Sequence, residues 1–193
     1  MRLILIAVLL FTSLNISGQR IKVLRQTRPV DTVANGEGII YGLFIQRLGF
    51  ASGGFGQDIR LLNLDTKEIF SFRVKPTFKS KKENVFFYHI PSGKYAILNY
   101  YWTKSKWYGG EVHTESIYRK SDTISISESG SHDHKDVSYY TFSILPSSLN
   151  YVGTWNFASE VVLFSNDKDE LDKVLTVTLP LLSFKNAVIT IPN

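Results

Sequence analysis

The chain has 193 residues, 44% hydrophobic and 20% charged, with a formal net charge of +5 and no cysteine. That composition belongs to a globular protein rather than a disordered one. The absence of cysteine excludes disulfides, thiol nucleophiles, cysteine-ligated zinc, iron–sulfur clusters and a lipid-modified N-terminal cysteine, and so small a positive charge gives no reason to expect nucleic acid as a partner.

Met1-Arg2 supplies a positive start, Leu3 to Phe11 (LILIAVLLF) an unbroken apolar run, and Thr12 to Gly18 a small and polar exit. This order is that of a secretory signal peptide, and cleavage after Gly18 is expected. Nine apolar residues reach only ~14 Å as a helix, short of the ~30 Å hydrocarbon core of a bilayer. Residues 1–18 are therefore read as an address, and 19–193 as one mature domain without a transmembrane segment. Removing Arg2 leaves a formal charge of +4. The expected location is periplasmic or secreted, without a lipid anchor. The Ser17-Gly18-Gln19 exit resembles that of exported proteins of Gram-negative bacteria.

The mature chain reads as short strands. Gly38 to Ile45 (GIIYGLFI) is continuously apolar, as expected of a central strand buried on both faces. Gly49 to Gly56 (GFASGGFG) reads as a loop. Asp58–Leu64 and Lys67–Lys75 follow as a hairpin joined at Asp65-Thr66, with Phe70, Phe72 and Val74 alternating with polar residues. Lys75, Lys79, Lys81 and Lys82, around Pro76, read as a solvated connection. Asn84–Ile90 and Lys94–Trp102 flank the turn Pro91-Ser92-Gly93, where proline presets one dihedral and glycine supplies a positive φ. Glu111–Arg119, Asp122–Glu128, Val137–Leu145, Leu149–Phe157 and Glu160–Phe164 continue the run, and Phe184–Ile191 closes it. Between them, Asp167 and Glu170 have the spacing of a capping box, and Leu171, Val174, Leu175 and Leu179 recur at helical spacing before Pro180. Strands every 8–12 residues point to an all-β fold, an antiparallel β-sandwich with one short C-terminal helix. Its core is expected at Ile40, Phe44, Phe72, Phe86, Tyr95, Ile97, Phe142, Ile144, Val152, Trp155, Val162 and Phe164.

Chemistry-bearing patterns are few. His132-Asp133-His134 places two imidazoles at i and i+2, but among Ser129-Gly130-Ser131 and Lys135 it reads as a polar loop, so no metal or other cofactor is expected. The glycines Gly49, Gly53, Gly54 and Gly56 lack the following helix that a phosphate cradle needs. No G-x-S-x-G, S-x-x-K or H-E-x-x-H motif is present, so no catalytic residue is assigned. The richest aromatic stretch is Tyr100-Tyr101-Trp102-Thr103-Lys104-Ser105-Lys106-Trp107-Tyr108-Gly109-Gly110. Strand alternation sends Tyr100 and Trp102 to one face and Tyr101 to the other. Trp102, Trp107 and Tyr108, rimmed by Lys104 and Lys106, form the candidate binding site for an envelope glycan or protein. The competing role for these rings is to plug one end of the sandwich as core.

Gly38-Ile39-Ile40-Tyr41-Gly42, Pro91-Ser92-Gly93-Lys94-Tyr95-Ala96-Ile97, Asn150-Tyr151-Val152-Gly153-Thr154-Trp155 and the acidic helix ending at Pro180 together resemble a loose group of uncharacterised exported bacterial β-sandwich proteins, many of them lipoproteins. The Pro-x-Gly-Lys-Tyr turn is also similar to the hairpin of prealbumin-like and carboxypeptidase-regulatory-like sandwiches. The resemblance implies a sandwich in the cell envelope and brings no catalytic residues with it. The expectation is a non-enzymatic exported binding or structural module. The alternative is an exported hydrolase of glycan or ester bonds with catalytic groups dispersed over loops, such as His113 with Glu111 or Glu115. Intact-mass measurement on protein from its natural envelope fraction should give a chain beginning near Gln19; a mass retaining Met1–Gly18 overturns the address reading.

Overall fold

The computed structural model describes residues 20–46, 55–76, 82–106, 109–119, 138–159 and 161–193. Among these residues, in chain order, the strands are β1 (Ile21–Val23), β2 (Arg25–Gln26), β3 (Glu37–Ile45), β4 (Gln57–Asn63), β5 (Ile69–Lys75), β6 (Glu83–Pro91), β7 (Gly93–Lys106), β8 (Gly109–Ser116), β9 (Thr141–Ile144), β10 (Leu149–Asn156), β11 (Leu163–Ser165) and β12 (Val188–Ile189), with one helix, α1 (Lys168–Thr178), and a 3-10 turn at Phe184–Asn186. They form two six-stranded sheets. The front sheet has the order β1-β5-β4-β7-β8, with β9 also on β7; the back sheet has the order β11-β10-β3-β6-β2, with β12 also on β10. Pairing is largely antiparallel; the parallel exceptions include β1 with β5 and β3 with β10.

Alternation along the strands builds the layer between the sheets. Ile59 and Leu61 of β4, Phe70, Phe72 and Val74 of β5, and Tyr95 and Ile97 of β7 meet Ile40 and Phe44 of β3, Phe86 and Tyr88 of β6, and Trp155 of β10. Trp155 is fully buried, contacts Phe72, Phe86, Phe142 and Phe164 at ring-centroid distances of 5.5–6.1 Å, and donates its indole N–H to Val152 O at 2.7 Å. The sequence-predicted core residues all lie in this cluster, with Val162 and Phe164 partly buried at its edge.

The unbroken apolar run of β3 has a direct cause. Ile40 and Phe44 face the front sheet, while Ile39 and Tyr41 face a second core made with Leu149, Tyr151, Leu171, Leu175, Leu179, Leu182 and Phe184. The helix and the segment after it therefore form a third layer over the back sheet. An 11-residue amphipathic helix needs such a contact to persist. Polar bonds fix its position: the Tyr41 hydroxyl donates to Asp172 Oδ1 at 2.7 Å, and the Lys168 ammonium bridges Asp172 and the Phe184 carbonyl. Burial, and then the Asp172 carboxylate, push the Tyr41 phenol far above its ordinary pKa, so it remains a donor.

Several local expectations are corrected. The capping box does not form: the Asp167 side chain makes no cap bond and instead accepts from the Ser165 hydroxyl, while the Asp167 amide donates to Tyr151 Oη. Docking onto Tyr151 decides the helix start. Phe184–Ile191 is a 3-10 turn followed by the two-residue β12 rather than a full strand. The turn expected at Pro91-Ser92-Gly93 is present, but it passes the chain from β6 in the back sheet to β7 in the front sheet, and so is not the hairpin that the likeness to prealbumin-like sandwiches implies. Its glycine is needed all the same. Gly93 has φ +144°, and a Cβ there would come within 3.0 Å of Asn63 Nδ2. Lys75 is not solvated; it is 1% exposed. Asp122–Glu128, Gly49–Gly54, Lys79, Lys81 and the His132-Asp133-His134 stretch lie outside the described residues.

Trp155→Ala should cost about 3–5 kcal/mol, the usual range for a large ring removed from a packed core. Val177→Ala, at a position 83% exposed on α1, should change stability by less than about 0.5 kcal/mol. Urea titration followed by tryptophan fluorescence and far-UV circular dichroism measures both.

Candidate functional site

The site begins with strand register. On the inner face of the front sheet, Gln57 pairs with Lys75 on one side and Trp102 on the other, and Trp102 pairs with His113. Cross-strand partners share a face, so Lys75, Gln57, Trp102 and His113 form one row across β5, β4, β7 and β8. Tyr100 and Glu115 form the next pair inward. The back sheet contributes Phe44 and Phe157, whose rings lie 5.7 and 5.2 Å from that of Tyr100. Asn84 is the partner of Phe44, and Gln46 lies two residues beyond it on the same face. This end of the sandwich is thus lined by amides and an amine, and we call it the polar mouth.

Four of these polar residues are deeply buried: Gln46, Gln57, Lys75 and Asn84 are all at or below 6% exposed. Buried polar groups are costly unless hydrogen-bonded. The Tyr100 hydroxyl donates to Gln57 Oε1, while Gln57 Nε2 has no hydrogen-bond partner. Burial pushes the Lys75 ammonium below its ordinary pKa.

The aromatic side of the mouth is a stack. Tyr100 and Trp102 have centroids 4.9 Å apart, and the Trp102 and His113 rings lie 5.0 Å apart and nearly parallel, at 8°. Trp102 is half-buried and packs against the main core. His113, at the outer end of the stack, has its Nε2 3.5 Å from Glu111 Oε1, and the two side chains are 34% and 43% exposed. Tyr101 points the other way, as alternation requires, and carries the Arg60 guanidinium 4.2 Å above its ring.

The strand positions Lys104 and Lys106 of β7 face Glu111 and Gly109 of β8 in the register, which puts both lysines on the outer stretch of this hairpin. Trp107 and Tyr108 lie outside the described residues. Of the groups considered for a hydrolase, the fold brings His113 and Glu111 together on one face of β8, with Glu115 two residues further along that face. Sequence reading missed the polar floor. Gln57 was legible, because it shares the parity of Ile59 and Leu61. Lys75 was not, because a register shift beside Gln57 turns it inward against the alternation.

Among the described residues, no group of three or more His, Asp or Glu is placed to hold a metal ion, and no helix is long and apolar enough to cross a membrane. No family model and no curated protein matches the chain. Among solved structures it is similar to a leucine-rich repeat protein from Bacteroides thetaiotaomicron VPI-5482, with 12% identity and a TM-score of 0.35. That match covers 77% of this chain and 16% of the other.

Trp102→Ala should lower stability by about 2–3 kcal/mol, somewhat less than for a fully buried ring. His113→Ala should cost under about 1 kcal/mol, as for a substitution near the surface. Chemical denaturation of the two variants tests whether the stack is anchored from its inner end.

Proposed function

We propose that this protein is an exported, non-enzymatic binding module of the bacterial cell envelope, and that it takes its partner at the polar mouth. The recognition residues are Trp102 of β7, with Lys104, Lys106, Trp107 and Tyr108 of the stretch that follows it in the sequence. One observation supports this reading above the others. Ring contacts run from the core through Tyr100 and Trp102 to a partly exposed His113, beside buried amides at the same sandwich end. Aromatic faces next to fixed amide and carboxylate groups suit a sugar ring, which is apolar on its faces and polar at its edge. Loops at a sandwich end are also held rigidly by sheets that do not need their side chains. Export rests on the Met1–Gly18 signal, and the envelope assignment on the resemblance to exported sandwich proteins.

The experiment is sedimentation of the protein with purified envelope polysaccharide and peptidoglycan, with Trp107→Ala and Tyr108→Ala as variants. The reading expects retention by the wild type, loss of at least about tenfold in affinity for each variant, and an unchanged melting temperature; tenfold is about 1.4 kcal/mol. Retention unaffected by both variants overturns the site. A large drop in melting temperature for Trp107→Ala, with no partner present, makes the ring part of the core and also overturns it.

A second reading is favoured by the 3.5 Å approach of His113 to Glu111. A histidine base oriented by a carboxylate is a component of ester hydrolases. Turnover of ester or glycoside substrates that disappears in His113→Ala would establish it in place of the first.

A further inference from the structure

A second cluster of charge lies away from the mouth, on the outer face of the back sheet. His89 of β6 pairs in register with Arg25 of β2 on one side and Ile39 of β3 on the other. Its side chain is 4% exposed, and neither ring nitrogen has a hydrogen-bond partner. Each nitrogen instead faces a carboxylate at longer range. Nε2 is 3.4 Å from Asp31 Oδ2, and Nδ1 is 3.6 Å from Glu37 Oε2. Asp31 belongs to the connection between β2 and β3, and Glu37 opens β3. Because the carboxylates sit at opposite edges of the imidazole, no single ion can touch all three groups. The arrangement is therefore not a metal site.

The connection is held down beside this histidine. The Thr27 amide donates to Phe87 O at 3.1 Å, and Thr27 is buried. Asp31 closes a tight turn, accepting from the Arg28 amide at 3.0 Å while its own amide donates to Arg28 O at 3.0 Å. Val33 packs against the second core. Asp31 is already engaged by cations: Arg25 Nη1 lies 2.6 Å from Oδ2 and Arg28 Nη2 3.3 Å from Oδ1. The Arg28 amide, then the Arg25 side chain, hold its carboxyl well below the usual range, so it stays ionised in mildly acidic solution.

The charged groups facing His89 are thus Arg25 from β2, Asp31 from the connection and Glu37 from β3. A proton on the ring would create a buried cation. Asp31 already serves two arginines, Glu37 is 46% exposed and screened by water, and Arg25 repels the new charge. Burial, with Arg25 second, outweighs the two carboxylates and lowers the imidazole below its ordinary value.

We infer that the β2–β3 connection, residues 27–36, is an acid-released latch: it is closed over neutral His89 near neutrality and lifts when the ring takes a proton. The sign follows from linkage. The lifted form exposes His89 to water, where it titrates near about 6.5. The closed form binds its proton only at lower pH, so closure weakens as pH falls below that value, with at most about a tenfold change in the open fraction per pH unit. A protein passing between neutral and acidic surroundings would expose the β2 edge and the Val33 side of the second core as it does so.

Amide hydrogen exchange on the full chain, read as protection factors at pH 7.5 and 5.0, tests the latch through Thr27, Arg28 and Asp31. Wild-type protection at these amides should fall between pH 7.5 and pH 5.0, by up to about thirtyfold, while Ile59 and Phe72 in the front sheet keep theirs. In His89→Gln the change with pH should vanish. Equal protection at both pH values in the wild type, or the same fall in His89→Gln, overturns the inference. Should that variant not fold, the wild-type exchange and the His89 ring titration by NMR decide together: loss of protection tracking a ring midpoint below about 6.5 supports the latch, and a midpoint at or above it, or unchanged protection, overturns it.

Discussion

The double burial of the back sheet is the constraint on which the rest of the molecule depends. β3 is apolar on both faces, so neither face can be left to water at a cost of about 25 cal/mol per Å² of apolar surface. The front sheet covers one side and the C-terminal segment the other. This explains why the helix is where it is, although little in its own sequence holds it there. Its end caps are weak, and Leu171 and Leu175 are its buried residues. Tyr41, Tyr151 and Asp172 supply directional bonds that apolar packing lacks, and these select one position for α1 on the sheet.

A parallel neighbour for β3 has its own geometric requirement. β3 and β10 run side by side with a register shift between Tyr151 and Thr154, where Gly42 faces Gly153. A Cβ on Gly42 would fall 2.4 Å from Gly153 O, and Gly153 itself has φ +93°. Two glycines thus let the backbones approach at the one irregular point of the central pair. Just beyond it, Trp155 is turned into the inter-sheet layer, where it joins aromatic rings from both sheets.

The architecture was legible where one residue pattern sufficed. The alternation of Phe70, Phe72 and Val74 gave a half-buried strand, the continuous run at Ile39–Ile45 a doubly buried one, and the spacing of Leu171 and Leu175 a helix. What could not be read depends on partners distant in sequence. The Pro91-Ser92-Gly93 turn has the residues of a hairpin, but whether its strands share a sheet is decided by the pairing of β6 with β3 and of β7 with β4. Ile21–Val23 and Arg25–Gln26 are exposed and too short to carry a period. Lys75 looks solvated in a lysine-rich stretch, and one register shift buries it. At the candidate site, parity placed Tyr100 and Trp102 on one face, but the stacking of His113 on Trp102 needed the register of β8.

The polar mouth and the His89 cluster pose the same physical question with different answers. Both place ionisable or amide groups in the interior of the fold. At the mouth, Tyr100 serves Gln57, and the row of polar residues ends in the exposed pair His113 and Glu111, so the burial grades into solvent along one line of side chains. Around His89 there is no such gradient, because the charges that could compensate the ring are engaged by Arg25 and Arg28 or turned to water. A polar row that opens to solvent can exchange water for a ligand's hydroxyls with little rearrangement of the sheets. An enclosed imidazole can change its state only by moving what encloses it. The two clusters therefore differ in what they can do: the first is suited to recognition by a rigid surface, the second to a change of shape.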